Sequence, residues 1–469
     1  MPGDLIEVEL DDELDPLSDG DGRPPRPPWS LRRWAAVTAA LATVGAVAVG
    51  TGGAVRADLA GRLPVTGLTG DLRIPRHELW RADAGEVLGT VPGVLVTGGA
   101  DGTGARGLAW QDGSTAWRHD GGRCTLNDVD DVDPVSWRGT EVLPADRSRV
   151  VCLGLVSEGQ DPSAVILDPV TGRVVGEPDV SDADVGVVAL GAHLVGVADS
   201  ARGGRTVSSW SLLTGSAEWS VTVSAADGGI GSMFAIGDRL VATTLSGRYS
   251  FDPATGERID ATATDLTFER RPMRDGGDVA TVWAADGFAA SAVATGADGT
   301  ERWSVGGYYL PPSVDDPWSR DVVPVYSSAG ALLGVDAATG DVRWRMSGAS
   351  FPLLQMAGVI ALTSVATGEG ASPGAVIAVD AATGVVLWRQ DTGVDQPRAG
   401  AAVSDGARLA VAEHDGGGTR IAVHDLHDGT VVTTWPSALD DPSRLVPLPA
   451  NRVAQVADGT LVVLGEEAR

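Results

Sequence analysis

The segment Leu333–Trp344 reads as a strand ending at Val335, a tight turn from Asp336 to Gly340, and a second strand carrying Trp344. Nearly the same residues return from Val376 to Trp388. Aligned on the turn glycine, the chain holds eight copies, at Gly113, Gly172, Gly215, Gly256, Gly299, Gly340, Gly384 and Gly429. Their spacings are 59, 43, 41, 43, 41, 44 and 45 residues. The residue before each glycine is Asp112, Thr171, Thr214, Thr255, Asp298, Thr339, Thr383 or Asp428. All carry a short side-chain oxygen able to accept from the turn's own backbone. The glycine supplies a positive φ that a side chain would strain. Trp117, Trp219, Trp303, Trp344 and Trp388 stand four residues after their glycine. Trp435 comes two positions late, and Gly176 and Asp260 replace the tryptophan in the second and fourth copies.

Each turn follows a short apolar strand, such as Ala164–Leu167, and another apolar run precedes that, such as Arg149–Leu153. Short Val/Ala/Leu runs between turns rich in the chain's 63 glycines predict an all-β fold. No single copy can bury both faces of its sheet, so neighbours must stack. A period near 43 residues suits four-stranded β-propeller blades and is too long for a leucine-rich repeat. At the C-terminus, Arg452–Leu464 supplies two strands of a unit and stops. The missing tryptophan strand stands at the other end, in His77–Arg81, where Trp80 takes the tryptophan position. The expectation is that this strand finishes the last blade and makes residues 71–469 one domain. Eight blades are expected, with nine as the alternative, because a third strand around Ala289–Ala294 is hard to place.

Residues 1–33 differ from the rest. Asp4–Asp21 carries nine acidic residues and no basic ones, and Arg23–Pro28 is a proline-rich run, so a disordered cytoplasmic tail is expected. Trp34–Val55 is uncharged over 22 residues. As a helix it covers about 33 Å, enough for a hydrocarbon core of about 30 Å. Arg23, Arg26, Arg32 and Arg33 precede the run, which places the N-terminus inside and the C-terminal body outside the cytoplasm. A transmembrane helix at 34–55, followed by a linker at 56–70, is preferred over a cleaved signal peptide. The apolar run is long for a signal core, and the acidic tail precedes it.

The formal charge of −28 argues against binding nucleic acid or an anionic membrane surface and favours either a soluble, monomeric body or cationic partners. An insertion, Gly121–Arg147, accounts for the 59-residue spacing; it contains Cys124, and Cys152, the only other cysteine, follows on the next strand. Outside the cytoplasm they are expected to form a disulfide.

The Asp-Ala-Ala-Thr-Gly turn followed by Trp, sharp in Asp336–Trp344 and Asp380–Trp388, resembles the pyrroloquinoline-quinone-type (PQQ-like) repeat. The resemblance covers most of residues 71–469. It implies that Trp80, Trp117, Trp219, Trp303, Trp344 and Trp388 pack between adjacent blades. The family includes quinone-dependent dehydrogenases and also non-catalytic propellers, such as outer-membrane assembly lipoproteins. Its dehydrogenases use adjacent cysteines over the quinone and a calcium site beside a catalytic Asp. Cys124 and Cys152 lie apart and no calcium constellation is discernible, so neither PQQ nor calcium is expected here.

Three other stretches carry residue types capable of chemistry. His424-Asp425-Leu426-His427-Asp428, near His414, could offer a transition metal imidazole and carboxylate ligands, but Asp425 and Asp428 fall on ordinary turn positions. Asn127–Asp133 is dense in calcium-type oxygens but lacks the glycine and distal glutamate of a helix-loop-helix site. Gly370–Gly374 spells a nucleophile elbow, yet Pro373 has no N–H for an oxyanion hole. No catalytic, cofactor or metal residue is therefore assigned. The aromatic loop containing Tyr308, Tyr309 and Trp318 is the candidate contact site. The expected function is an extracytoplasmic binding or scaffolding module for an envelope protein or glycan, with a quinone- or metal-dependent oxidoreductase as the alternative.

Overall fold

The computed structural model describes residues 68–129, 142–154 and 163–466, the last stretch with short gaps. The tail at 1–33, the apolar run at 34–55 and linker residues 56–67 lie outside the described residues, as do Asp260 and Trp318. Among the described residues no helix is long and apolar enough to cross a membrane.

The described residues form nine sheets, eight with four strands and one with five. In chain order the units run Val87–His119, Arg123–Gly176, Gly186–Ser224, Ile230–Ile259, Thr267–Gly306, Tyr308–Ser347, Ala349–Asp391 and Ala402–Pro436. The ninth joins Arg444–Leu448, Arg452–Ala457 and Thr460–Gly465 to His77–Asp83. Nine sheets thus stand where eight blades are expected from the sequence. The doubtful third strand is present as Ala290–Thr295, and the split unit forms a sheet of its own. The pairing of the two ends is as expected. His77–Asp83 runs antiparallel to Thr460–Gly465, with Trp80 opposite Val463. Leu68, expected in the linker, instead bridges to Ser404, and Leu72 is fully buried against Val403, Leu445 and Trp435.

Burial explains the strand roles. Central strands such as Ala331–Asp336 and Ala375–Asp380 are buried on both faces, because a neighbouring unit covers each. Fourth strands such as Val342–Ser347 and Val386–Asp391 are exposed edges in which only the tryptophan is fully covered. First strands, such as Ala402–Ser404 and Arg444–Leu448, form the opposite, buried edge.

The turn chemistry is as the sequence implies. All eight turn glycines have φ between 66° and 80°. In each copy the preceding Asp or Thr oxygen accepts the N–H of the residue after the glycine. In seven copies the glycine N–H reaches the carbonyl four residues back, as Gly340 does to Asp336 at 2.9 Å. The Arg343 guanidinium beside Asp336 holds that carboxyl at a pKa of about 2.

The tryptophans join the units. Trp80, Trp117, Trp219, Trp303, Trp344 and Trp388 each donate the indole N–H across a seam to the carbonyl of Trp110, Pro169, Pro253, Ala337, Ala381 or Leu426, at 2.8–3.3 Å. Each acceptor lies three residues before the next unit's turn glycine. The ring lies against that glycine: a Cβ on Gly384 would sit 2.5 Å from Cγ of Trp344. Gly176 has no ring to offer, and its backbone closes directly on Gly215, whose Cβ would lie 2.6 Å from the Gly176 Cα. Trp435 faces the ninth unit, whose third and fourth strands come from opposite chain ends and so share no turn. Among the described residues its indole N–H has no acceptor, and Arg76 lies 5.3 Å above the ring.

Cys124 and Cys152 are directly paired across adjacent strands and disulfide-bonded, 28 positions apart in sequence. In the chain-entropy account this bond stabilises the fold by about 3–4 kcal/mol. Replacing both cysteines by alanine is expected to lower the urea midpoint accordingly, and reduction of the variant to add nothing further. Trp344→Ala is expected to cost about 3–5 kcal/mol as a buried aromatic deletion. Gly384→Ala also destabilises, since φ is +69° and the new methyl meets the indole. Denaturant unfolding of the pair of variants should show non-additive losses, because both break one contact.

Candidate functional site

The loop expected to make contacts serves instead, in large part, as a tie between units. Tyr309 is fully buried, its N–H donating to Thr281 Oγ1 at 3.0 Å and its carbonyl accepting from the same hydroxyl at 3.3 Å. It sits in the core formed with Val279, Val323 and Val325, so it is not a contact residue. Tyr308 is partly exposed and meets Trp283 edge-on at 5.2 Å. Further along, Val314–Asp315 runs parallel to Leu354–Gln355, on the free edge of the next unit's first strand. Arg320 is buried and donates to the carbonyl of Pro272, in the first strand of the preceding unit. The loop therefore fastens its two neighbours.

Two other segments outside the repeat do the same. Val142, at the end of the insertion, bridges in parallel to Thr90, and Leu143 N–H donates to the Thr90 carbonyl at 2.8 Å. Leu68 bridges in parallel to Ser404, and Thr69 N–H donates to the Ser404 carbonyl at 2.8 Å. In the loop after Tyr309, Asp316 N–H donates to the Gln355 carbonyl at 3.0 Å. The three receiving residues hold one register position. Thr90, Gln355 and Ser404 oppose Leu95, Ile360 and Leu409, in each case the residue five positions further along the hairpin. All three are buried polar residues in otherwise apolar strands. That polar interruption is the sequence signal by which the tethered edges could have been recognised.

The histidine-rich segment resolves into structure. Among the described residues no group of three or more metal-capable side chains converges. Asp425 Oδ1 accepts the His427 and Asp428 N–H groups, and Asp428 Oδ1 accepts that of Thr430. His424 is fully buried, stacked on Trp388 at 5.5 Å, with Nε2 2.8 Å from Glu413 Oε1 and Nδ1 3.0 Å from the Gly429 carbonyl. A carbonyl and a carboxylate only accept, so both contacts are hydrogen bonds when the ring is protonated, and the setting favours the imidazolium. Arg420 also bonds Glu413, at 3.1 Å. Burial lowers the His424 pKa, but the Glu413 and Gly429 hydrogen bonds outweigh it and leave it above 6.5. Burial likewise raises Glu413, and its bonds to His424 and Arg420 leave it below 4.5. Of the calcium-type run, Asn127 bonds back to Thr125, whereas 130–133 lie outside the described residues. So do residues 370–373 of the elbow-like stretch.

Stacked four-stranded sheets, joined by a tryptophan that meets the neighbour's turn, define a repeat protein of the β-propeller class. The chain belongs to the PQQ-like repeat family described as outer membrane protein assembly factor BamB, which it matches over residues 201–353 and 372–468. No curated protein matches it. Similar solved structures include BamB from Moraxella catarrhalis, at 18% identity and TM-score 0.33, covering 66% of this chain and 99% of that one. A europium-containing methanol dehydrogenase is 13% identical, with TM-score 0.38, and covers 83% of this chain and 87% of its own. Saccharomyces cerevisiae Sqt1 is 11% identical, with TM-score 0.39, over 83% and 99% respectively.

The buried His424–Glu413 pair sets a pH dependence. The histidine's contribution is complete below its unfolded value and is lost as pH rises through its raised folded value. The glutamate's is complete above its unfolded value and is lost as pH falls through its lowered one. The pair therefore stabilises most between 4.5 and 6.5. Urea midpoints of the wild type and His424→Gln should differ most in that window, and the difference should shrink as the pH rises through the histidine's raised value.

Proposed function

We propose that this chain is a single-pass membrane protein, with its N-terminus in the cytoplasm and its nine units closed into a propeller outside, and that the propeller binds protein partners at the cell envelope. Membership of a family described as an outer membrane protein assembly factor carries this reading, since assembly of other proteins requires binding them. The uncharged run Trp34–Val55 and the arginines before it support the anchor and its orientation. The Cys124–Cys152 disulfide supports an oxidising compartment. Pairing of His77–Asp83 with Thr460–Gly465 supports ring closure, because it leaves neither end of the repeat with an open sheet. The candidate ligands are an envelope protein, which is favoured, or a glycan.

Crosslinking intact cells and purifying the full chain from detergent-solubilised membranes tests the reading. The expected result is recovery in the membrane fraction, protease sensitivity of the propeller from outside, and one or more envelope proteins in stoichiometric amount. Recovery as a soluble cytoplasmic chain, or with a quinone absorbance and no bound protein, would contradict it.

A further inference from the structure

The seam between the eighth and ninth units holds a buried cation where six others hold a turn. Arg76 is fully buried there, packed on Trp435, whose core includes Leu72, Val403, Leu445 and Val453. Its Nε and Nη1 have no hydrogen-bond partner. Nη2 has only the Thr69 hydroxyl at 3.5 Å and the Gly70 carbonyl at 3.4 Å, both beyond the usual range of about 2.7–3.2 Å. The Trp435 ring attracts the cation across 5.3 Å but offers it no lone pair. Trp435 adds a third buried donor, since its Nε1 also lacks an acceptor, unlike the six indoles bonded across the other seams.

The nearby carboxylates are committed elsewhere. Asp405 Oδ2 accepts the Leu72 N–H at 3.0 Å and Arg408 Nη1 at 2.9 Å, and Asp71 pairs with Arg73 at 2.6 Å. Glu466 is exposed. Burial pushes the Arg76 pKa down, and Glu466, Asp405 and Asp71 oppose this only at a distance. A buried guanidinium with two unpaired nitrogens is costly unless an acceptor joins it. Water satisfies the hydrogens and leaves the charge unmatched, whereas an anion does both. The apolar surroundings favour a small anion, and a single guanidinium matches a single charge.

We infer that the seam between the eighth and ninth units binds one small monovalent anion, chloride or a carboxylate of formate size, on the Arg76 guanidinium where it packs on Trp435. The anion gives this seam the buried acceptor that a turn carbonyl gives six others. Arg76 adjoins the His77–Asp83 strand, which completes the ninth sheet from the opposite end of the chain. Binding there strengthens the junction of the two ends, because an ion held only by the folded chain stabilises it by mass action.

The test is urea unfolding of the full-length chain at constant ionic strength, with sodium gluconate, too bulky for a buried site, exchanged for chloride or formate. Urea itself adds no anion. The midpoint is expected to rise with the logarithm of the chloride or formate concentration. The rise should vanish in Arg76→Met, which keeps an apolar stem and removes the charge. A response to chloride alone assigns the site to a halide, and a response to formate alone assigns it to a carboxylate. Should the methionine variant unfold, a crystal structure of the wild type in bromide or formate decides, with the anion expected against the Arg76 guanidinium. Equal midpoints in all three salts overturn the site, and an ion then seen at Arg76 is an adventitious ion only. A structure in which only water, or a carboxylate of this chain, meets Arg76 Nε and Nη1 overturns it as well.

Discussion

One contact holds two sheets together at six seams among the described residues: a tryptophan ring laid on a glycine, with its N–H bonded to the carbonyl three residues earlier. The glycine is needed twice, for its positive φ and for the space that the ring fills. The carbonyl is available because the five-residue turn sends the glycine's own N–H one residue further back. Turn length, glycine and tryptophan are thus one device. Removing any of the three strips the seam of both its apolar contact and its buried hydrogen bond.

The exceptions follow the same logic. At Gly299 the turn is one residue shorter, and the glycine N–H takes the Gly296 carbonyl for itself, at 2.9 Å. No described atom lies within 4 Å of a Cβ built there, and the tryptophan position before it is filled by Asp260. At Gly215 the turn has full length but faces Gly176, and backbone meets backbone instead. Trp435 has the ring without a turn to receive it, because that turn is replaced by the meeting of the two chain ends. Arg76, fully buried at the start of the closing strand, occupies the face the glycine would have covered.

Much of this was legible in the sequence. The eight glycines, the oxygen-bearing residues before them and the tryptophans after them are local features, and local geometry carried over without change. The closing strand was legible because Trp80 completes a pattern that the C-terminus leaves unfinished. What escaped were contacts between segments that share no repeat. Tyr309 looked like a binding residue because aromatic loops often bind, and nothing local reveals that Thr281, 28 residues earlier, latches its backbone. The buried His424 ion pair was hidden for a like reason, since Glu413 lies on the adjoining strand. Docking of Leu68, Val142 and Val314 on first-strand edges needs three-dimensional register, and the polar residues marking those edges are few.

The seams fall into those closed by tryptophan and those closed otherwise, and the former are the stronger. Native-state hydrogen exchange of the turn and its flanking strands measures this directly. Amides of Ala290–Gly306, around Gly299, should exchange through openings of lower free energy than those around Gly340, Gly384 and Gly429. Equal or greater protection at Gly299 would contradict the claim that the indole and its turn carbonyl hold the sheets together.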